Sequence, residues 1–135
     1  MTDVDVDRLA KLPLFGELDH HDLSHVAGWV TEKRFVEGDV LIEEGSLPTD
    51  VFLIESGTVD VTHDEKLIAT LGPGDVVGEV ALLDPQRRTA TVTATSAVRT
   101  VALSVDDFSS MDQQMPEITR QLREIAERRR GRASA

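Results

Sequence analysis

The stretch Val77-Gly78-Glu79-Val80-Ala81-Leu82-Leu83-Asp84-Pro85-Gln86-Arg87-Arg88-Thr89-Ala90 combines residue types whose spacing suits recognition of a phosphorylated sugar. Gly78 permits a sharp entry or a close approach of another group to the main chain. Val80 to Leu83 is long enough for one helical turn, and Pro85 ends it. The start of such a turn offers free backbone N–H groups, which bind phosphate oxygens, and an arginine delivered by the following strand, Arg88, adds a charge-assisted pair. Glu79 beside a phosphate would be repelled unless it accepts a hydrogen bond from a ribose hydroxyl at the far side of the ligand. This is chemistry of binding, with no nucleophile or base aimed at a substrate.

Other chemistries fit less well. A surface ion pair between Glu79 and Arg88, worth at most about 1 kcal/mol, has no need of small residues at Ala81 and Ala90. His21 and His25 share a helix face, yet no third ligand converges on them. Asp3, Asp5 and Asp7 imitate the start of a calcium loop, but Arg8 stands where its glycine belongs and Leu14 where its glutamate belongs. A metal enzyme on a rolled sheet, of the cupin type, needs several inward histidines on strands, and the only histidine there is His63, at a hairpin tip. No Gly-x-Ser-x-Gly elbow occurs. The absence of cysteine excludes disulfides, thiolate metal sites and thiol nucleophiles.

The elements that must position this stretch are legible from apolar periodicity. Val6 to Leu12 suits a short helix ended before Pro13. Asp19 caps a second helix with Asp22 at its third position, a Leu18–Leu23 staple, and Leu23, Val26, Ala27 and Val30 on one face. From Thr31 the punctuation changes to Gly38, Gly45, Gly57, Gly72, Gly74 and Gly78, with strand-length segments at 31–36, 40–43, 51–55, 58–62 and 67–71. His63 to Lys66 makes a polar hairpin tip. Across 88–95, Ala90, Val92 and Ala94 alternate with Thr91, Thr93 and Thr95, and 98–104 is a further strand. A short helix over 105–111 precedes one from Pro116 to Arg130, with Ile118, Leu122 and Ile125 as its apolar stripe. About eight short strands favour an antiparallel β-roll, jelly-roll-like, flanked by helices: an α+β fold.

The 135 residues allow one domain. No apolar run approaches the roughly 18 residues of a membrane span, and no signal peptide opens the chain, so a cytoplasmic protein is expected. The net charge of −11 repels polyanions. The one basic cluster, Arg128, Arg129, Arg130 and Arg132, suits a solvated helix end complementing the helix dipole.

Gly78-Glu79-Val80-Ala81-Leu82-Leu83, then four residues and Arg88-Thr89-Ala90-Thr91-Val92, resembles the phosphate-binding cassette of the cyclic-nucleotide-binding domain family, whose members include the catabolite activator protein, regulatory subunits of cyclic-AMP-dependent kinase and cyclic-nucleotide-regulated channels. Leu12-Pro13-Leu14-Phe15, Phe35 through Gly45, and Val51-Phe52-Leu53-Ile54 before Gly57 are similar to the family framework. The resemblance implies N-terminal helices over 1–30, a β-roll over 31–104 with the cassette at 77–92, C-terminal helices over 105–130 and a tail over 131–135. It implies that Gly78 gives main-chain contact to the ligand and Glu79 holds the ribose 2′-hydroxyl. Val80 and Ala81 would then offer N–H groups to the phosphate, and Arg88 would pair with its charged oxygen. Thr89 falls where the family contacts the phosphate, and its hydroxyl can also reach a guanine edge. Cyclic AMP is the expected ligand and cyclic GMP the runner-up, with no cofactor, metal or catalysis. A pocket that has lost its ligand is disfavoured by the presence of both Glu79 and Arg88. No helix-turn-helix follows the last helix, so DNA binding is not expected, and the output falls to an unnamed protein partner. Arg120, Leu122 and Arg123 are the candidate lid over the base. The last helix is also the candidate contact of a homodimer.

Overall fold

The computed structural model describes residues 4–47, 49–78 and 88–129. Two short helices come first, α1 (Val6–Ala10) and α2 (His20–Val26). Asp5 caps α1 by accepting from Arg8 N at 2.8 Å, and Asp19 caps α2 by accepting from Asp22 N at 2.8 Å. Helix α1 stops at Ala10, two residues earlier than the periodicity predicts. Its last N–H groups turn to bonds three residues back (Lys11 to Arg8 O, Leu12 to Leu9 O), the tightening that precedes Pro13.

Eight strands follow: β1 (Thr31–Phe35), β2 (Val40–Ile42), β3 (Asp50–Ser56), β4 (Val59–His63), β5 (Lys66–Leu71), β6 (Val76–Val77), β7 (Thr91–Ala94) and β8 (Val98–Ser104). They pair antiparallel in two four-stranded sheets, ordered β1-β8-β3-β6 and β2-β7-β4-β5. The expected roll is therefore present. Strand β6 is too short to announce itself in the sequence; its register against Phe52 and Leu53 of β3 makes it a strand. The β4–β5 turn takes positive φ at Asp64 (50°) and Glu65 (66°), the conformation that matches hairpin twist.

Two further helices close the described chain, α3 (Val105–Gln114), capped by Ser104, and α4 (Pro116–Arg129).

Strands β3 and β8 are buried on both faces, and the period of two divides their side chains between two cores. Phe52, Ile54 and Ala102 join Val59, Val61, Val77, Val92 and Ala94 inside the roll. Val51, Leu53, Val101 and Leu103 point the other way, into a core shared with helical residues including Leu9, Phe15, Leu23, Phe108 and Leu122. The first sheet is thus a divider, helices on one side and roll interior on the other. Buried Thr100 is satisfied by donating its hydroxyl to Lys33 O at 2.9 Å.

An ionic cluster ties α1 to this sheet. Arg34 and Arg99 stand opposite each other in the β1–β8 register, a repulsive arrangement, and Glu32 accepts from both, at 2.8 and 3.3 Å. Arg8 reaches Glu32 at 2.8 Å and Glu55 at 3.0 Å. Burial works against the charge on Glu32, yet hydrogen bonds from Arg34, Arg8 and Arg99 hold its carboxyl below the usual value.

At the C-terminal end, Asp112 accepts from Arg123 at 2.9 Å and from the buried Thr119 hydroxyl at 2.6 Å. The Arg123 bond first, then that of Thr119, brings the Asp112 carboxyl down to about 2. This clip links α3 to α4, while Arg128 grips Glu17 at 2.7 Å. The apolar stripe of α4, Ile118, Leu122 and Ile125, packs inside the chain's own helical core. Leu122 is fully buried. Its truncation to alanine is expected to lower unfolding free energy by about 2–5 kcal/mol, read by denaturant titration; a loss under about 1 kcal/mol means the helix is not part of the cooperative core.

Candidate functional site

Strand β6 ends at Val77, and Gly78 follows with φ +86°, a conformation an L side chain adopts only with strain. The chain is described again at Arg88, three residues ahead of β7. Two main-chain bonds set Arg88 in place: its N–H donates to Ser46 O at 2.8 Å, and its carbonyl accepts from Gly45 N at 2.8 Å. The turn after β2 therefore acts as a short pairing partner for the cassette's exit.

The Arg88 side chain turns inward and is only 7% exposed. Its Nη1 donates to Gly78 O at 3.3 Å and its Nη2 to Asp50 O. The Asp50 carboxylate is engaged by Lys33 at 3.3 Å. Among the described residues no carboxylate forms an ion pair with Arg88. Burial pushes its pKa down, and among the described residues the charge of Asp50 opposes that shift. An arginine does not surrender its proton, so the downward pressure marks a cation kept charged in a poorly solvated place. It also borders a cavity of about 310 Å³ together with Val40–Glu43, Ser46, Leu47 and Thr49.

Gly78 and Arg88, ten residues apart in sequence, are thus in contact. A Cβ at position 78 would lie 2.7 Å from Arg88 Nη1. Thr89 is exposed, and its carbonyl accepts from His63 Nδ1 at 2.8 Å. Ala90 is buried against the roll core, and Thr91 Oγ1 accepts from Glu44 N at 3.0 Å. Glu79, Val80, Ala81 and the helical turn expected over 80–83 lie outside the described residues.

Sequence reasoning missed the supports. Asp50, which holds the guanidinium through its carbonyl, carries no side-chain signal for that role. Ser46 and Gly45 act through the main chain, and only the positive φ of Gly45 (84°) left a trace, as a glycine. His63 looked isolated because its partners come from other elements.

The lid residues sit elsewhere in this structure. Arg120 bonds Glu117 and Glu124 on its own helix, Leu122 is in the helical core, and Arg123 lies against Asp112 with its guanidinium 5.0 Å from the Phe108 ring centroid. None of the three lines the cavity beside Arg88.

The contact between Gly78 and Arg88 is directly testable. Gly78→Ala is expected to cost roughly 1–3 kcal/mol of stability through backbone strain and to displace the guanidinium. Thermal unfolding and the Arg88 side-chain NMR resonances read the two effects. Unchanged stability and unchanged resonances would show that position 78 tolerates a side chain and does not set the arginine.

Residues 32–115 match the family model described as cyclic nucleotide-binding domain. The chain is 33% identical over 105 residues to the cAMP-dependent protein kinase regulatory subunit of Yarrowia lipolytica, covering 76% of this chain and 28% of that protein. It is 31% identical over 118 residues to potassium/sodium hyperpolarization-activated cyclic nucleotide-gated channel 4 of Oryctolagus cuniculus, covering 87% of this chain and 10% of the channel. Among solved structures, the N-terminal domain of a transcriptional regulator from Streptomyces coelicolor superposes with a TM-score of 0.77 at 30% identity, covering 94% of this chain and 91% of that one. The chain spans less than a third of the length of either sequence relative. With a roll that sets a buried Arg88 against Gly78 and a family match across most of its length, this chain belongs to the cyclic nucleotide-binding domain family.

Proposed function

We propose that the chain is a regulatory sensor that binds a cyclic purine mononucleotide, cyclic AMP in preference and cyclic GMP second, and does no chemistry on it. The observation that carries this reading is the Arg88 guanidinium, buried yet paired among the described residues only with the neutral carbonyls of Gly78 and Asp50. A buried cation in that state gains from an anion, because the anion replaces lost hydration with a charge-assisted bond. A cyclic phosphodiester brings one negative charge, matching one guanidinium.

On this reading Val80 and Ala81 N–H groups cradle the phosphate, and Glu79 accepts from the ribose 2′-hydroxyl. Thr89, whose carbonyl is occupied by His63, keeps its hydroxyl for the phosphate or a guanine edge. The relatives support a regulatory role, since one is named for cyclic AMP dependence and the other for cyclic nucleotide gating.

Signal output follows from the shared divider sheet. The Thr49 carbonyl accepts from Val105 N at 2.9 Å, at the start of α3, while the next carbonyl, that of Asp50, accepts from Arg88. A ligand that draws Arg88 forward alters one of two adjacent peptide contacts and so biases the α3–α4 arrangement seen by a protein partner. For Arg120, Leu122 or Arg123 to act as a lid, α4 must first leave the helical core.

Calorimetric titration with both nucleotides tests the reading. Arg88→Ala is expected to lose about 2–5 kcal/mol of binding free energy, and a change under about twofold in Kd rejects the pocket. Thr89→Ala is expected to weaken cyclic GMP more than cyclic AMP; equal weakening of both assigns the hydroxyl to phosphate alone.

A further inference from the structure

The segment that presents Arg88 is gripped from its other side by a histidine. His63 ends β4, and its Nδ1 lies 2.8 Å from the Thr89 carbonyl oxygen, so that nitrogen donates. Glu44 Oε2 stands 3.5 Å from the same nitrogen, and Asp64 Oδ2 stands 3.4 Å from Nε2. With its Nδ1 proton given to Thr89, a neutral ring faces Asp64 lone pair to lone pair. A proton on Nε2 turns that contact into attraction and strengthens the donation to Thr89.

The neighbouring groups are arranged to hold this geometry. Glu44 Oε1 accepts from Asp64 N at 3.2 Å, and Glu44 N donates to Thr91 Oγ1 at 3.0 Å. With the Gly45 and Ser46 bonds to Arg88, the turn after β2 and the β4–β5 tip together enclose residues 88–91. Among the described residues, the charged groups around the ring are Glu44 from that turn, Asp64 from the hairpin, and Lys66 of β5, the register partner of His63. Lys66 forms no ion pair among the described residues, so the two carboxylates dominate. Of all these groups, the imidazole is the one whose ordinary pKa lies near neutrality. The Thr89 bond first, then the charges of Asp64 and Glu44, raise it above that value.

We propose that His63 is a proton-dependent clasp on the segment that presents Arg88 and Thr89, so that affinity for the cyclic nucleotide falls as pH rises through the neutral range. The proposal rests on the ligand-binding reading above and adds its regulation. Because the native pKa is raised, the clasp's contribution is complete below the ordinary value of 6.5 and is lost as pH rises through the native one. Linkage is reciprocal, so bound ligand raises the His63 pKa further.

The test is titration of cyclic AMP, with EDTA present, into the wild type and His63→Gln at about pH 6 and about pH 8. Glutamine can still donate to the Thr89 carbonyl but does not titrate, and the phosphodiester keeps its charge throughout. The wild type is expected to bind about two- to fivefold more tightly at the lower pH, with the ratio near one in the variant. An equal ratio in both proteins overturns the clasp, since His20, His21 and His25 would then carry the dependence. NMR titration of the ring, assigned by the resonance missing in His63→Gln, is expected to show a pKa above the ordinary histidine value that rises with ligand; a value at or below it also overturns the proposal. If cyclic AMP binds neither protein at either pH, the ligand-binding reading is what fails, and the clasp is decided by unfolding alone. A larger loss of stability in the wild type than in His63→Gln between the two pH values supports it, and equal losses overturn it.

Discussion

A guanidinium with almost no access to water is the constraint around which the roll is arranged. Removing a charge from water costs several kcal/mol after relaxation, so Arg88 can be buried only where fixed dipoles replace its hydration. Two carbonyls do this, from Gly78 at the end of β6 and from Asp50 at the start of β3. Neither carries a full charge, and among the described residues no carboxylate forms an ion pair with the guanidinium. The glycine is required for two reasons at once: its φ of +86° and the 2.7 Å separation between an added Cβ and Arg88 Nη1.

The same peptide segment connects this cation to the rest of the molecule. Thr49 O receives the first N–H of α3, Asp50 O receives Arg88, and the side chains that follow in β3 enter the helical and roll cores in turn. Packed cores deform in discrete steps more readily than continuously. The Asp50 carbonyl is thus one peptide away from the contact that starts α3, and α3 is tied to α4 by the Asp112–Thr119–Arg123 clip. The ionic cluster of Arg8, Glu32, Glu55, Arg34 and Arg99 anchors the N-terminal helix to the opposite end of the divider sheet. Helices before and after the roll thus bear on one sheet.

The two sides of the cassette exit are held by different chemistry. On the turn side, Gly45 and Ser46 use main-chain bonds that do not respond to pH. On the hairpin side, His63 uses a titratable ring set between Glu44 and Asp64. A titratable contact thus sits one residue from the buried Arg88.

The sequence by itself determined the order of elements, because each rests on local signals: Asp19 as a cap, the Ala90-Val92-Ala94 alternation, the polar tip after β4, and the helical stripe of α4. It also singled out Gly78 and Arg88, which the fold brings into contact. Tertiary structure alone decided the rest. Strand β6 exists through its pairing with β3, and the roles of Asp50, Gly45 and Ser46 use main-chain atoms that every residue possesses. His63 acquires its meaning from Glu44 and Thr89, which are distant in sequence. The fate of Leu122 was likewise a matter of competition: an apolar stripe specifies that it must be buried, while only the packed helices and divider sheet specify where. Local chemistry is written residue by residue, but which distant carbonyl, carboxylate or apolar face answers it is set by the shape of the folded chain.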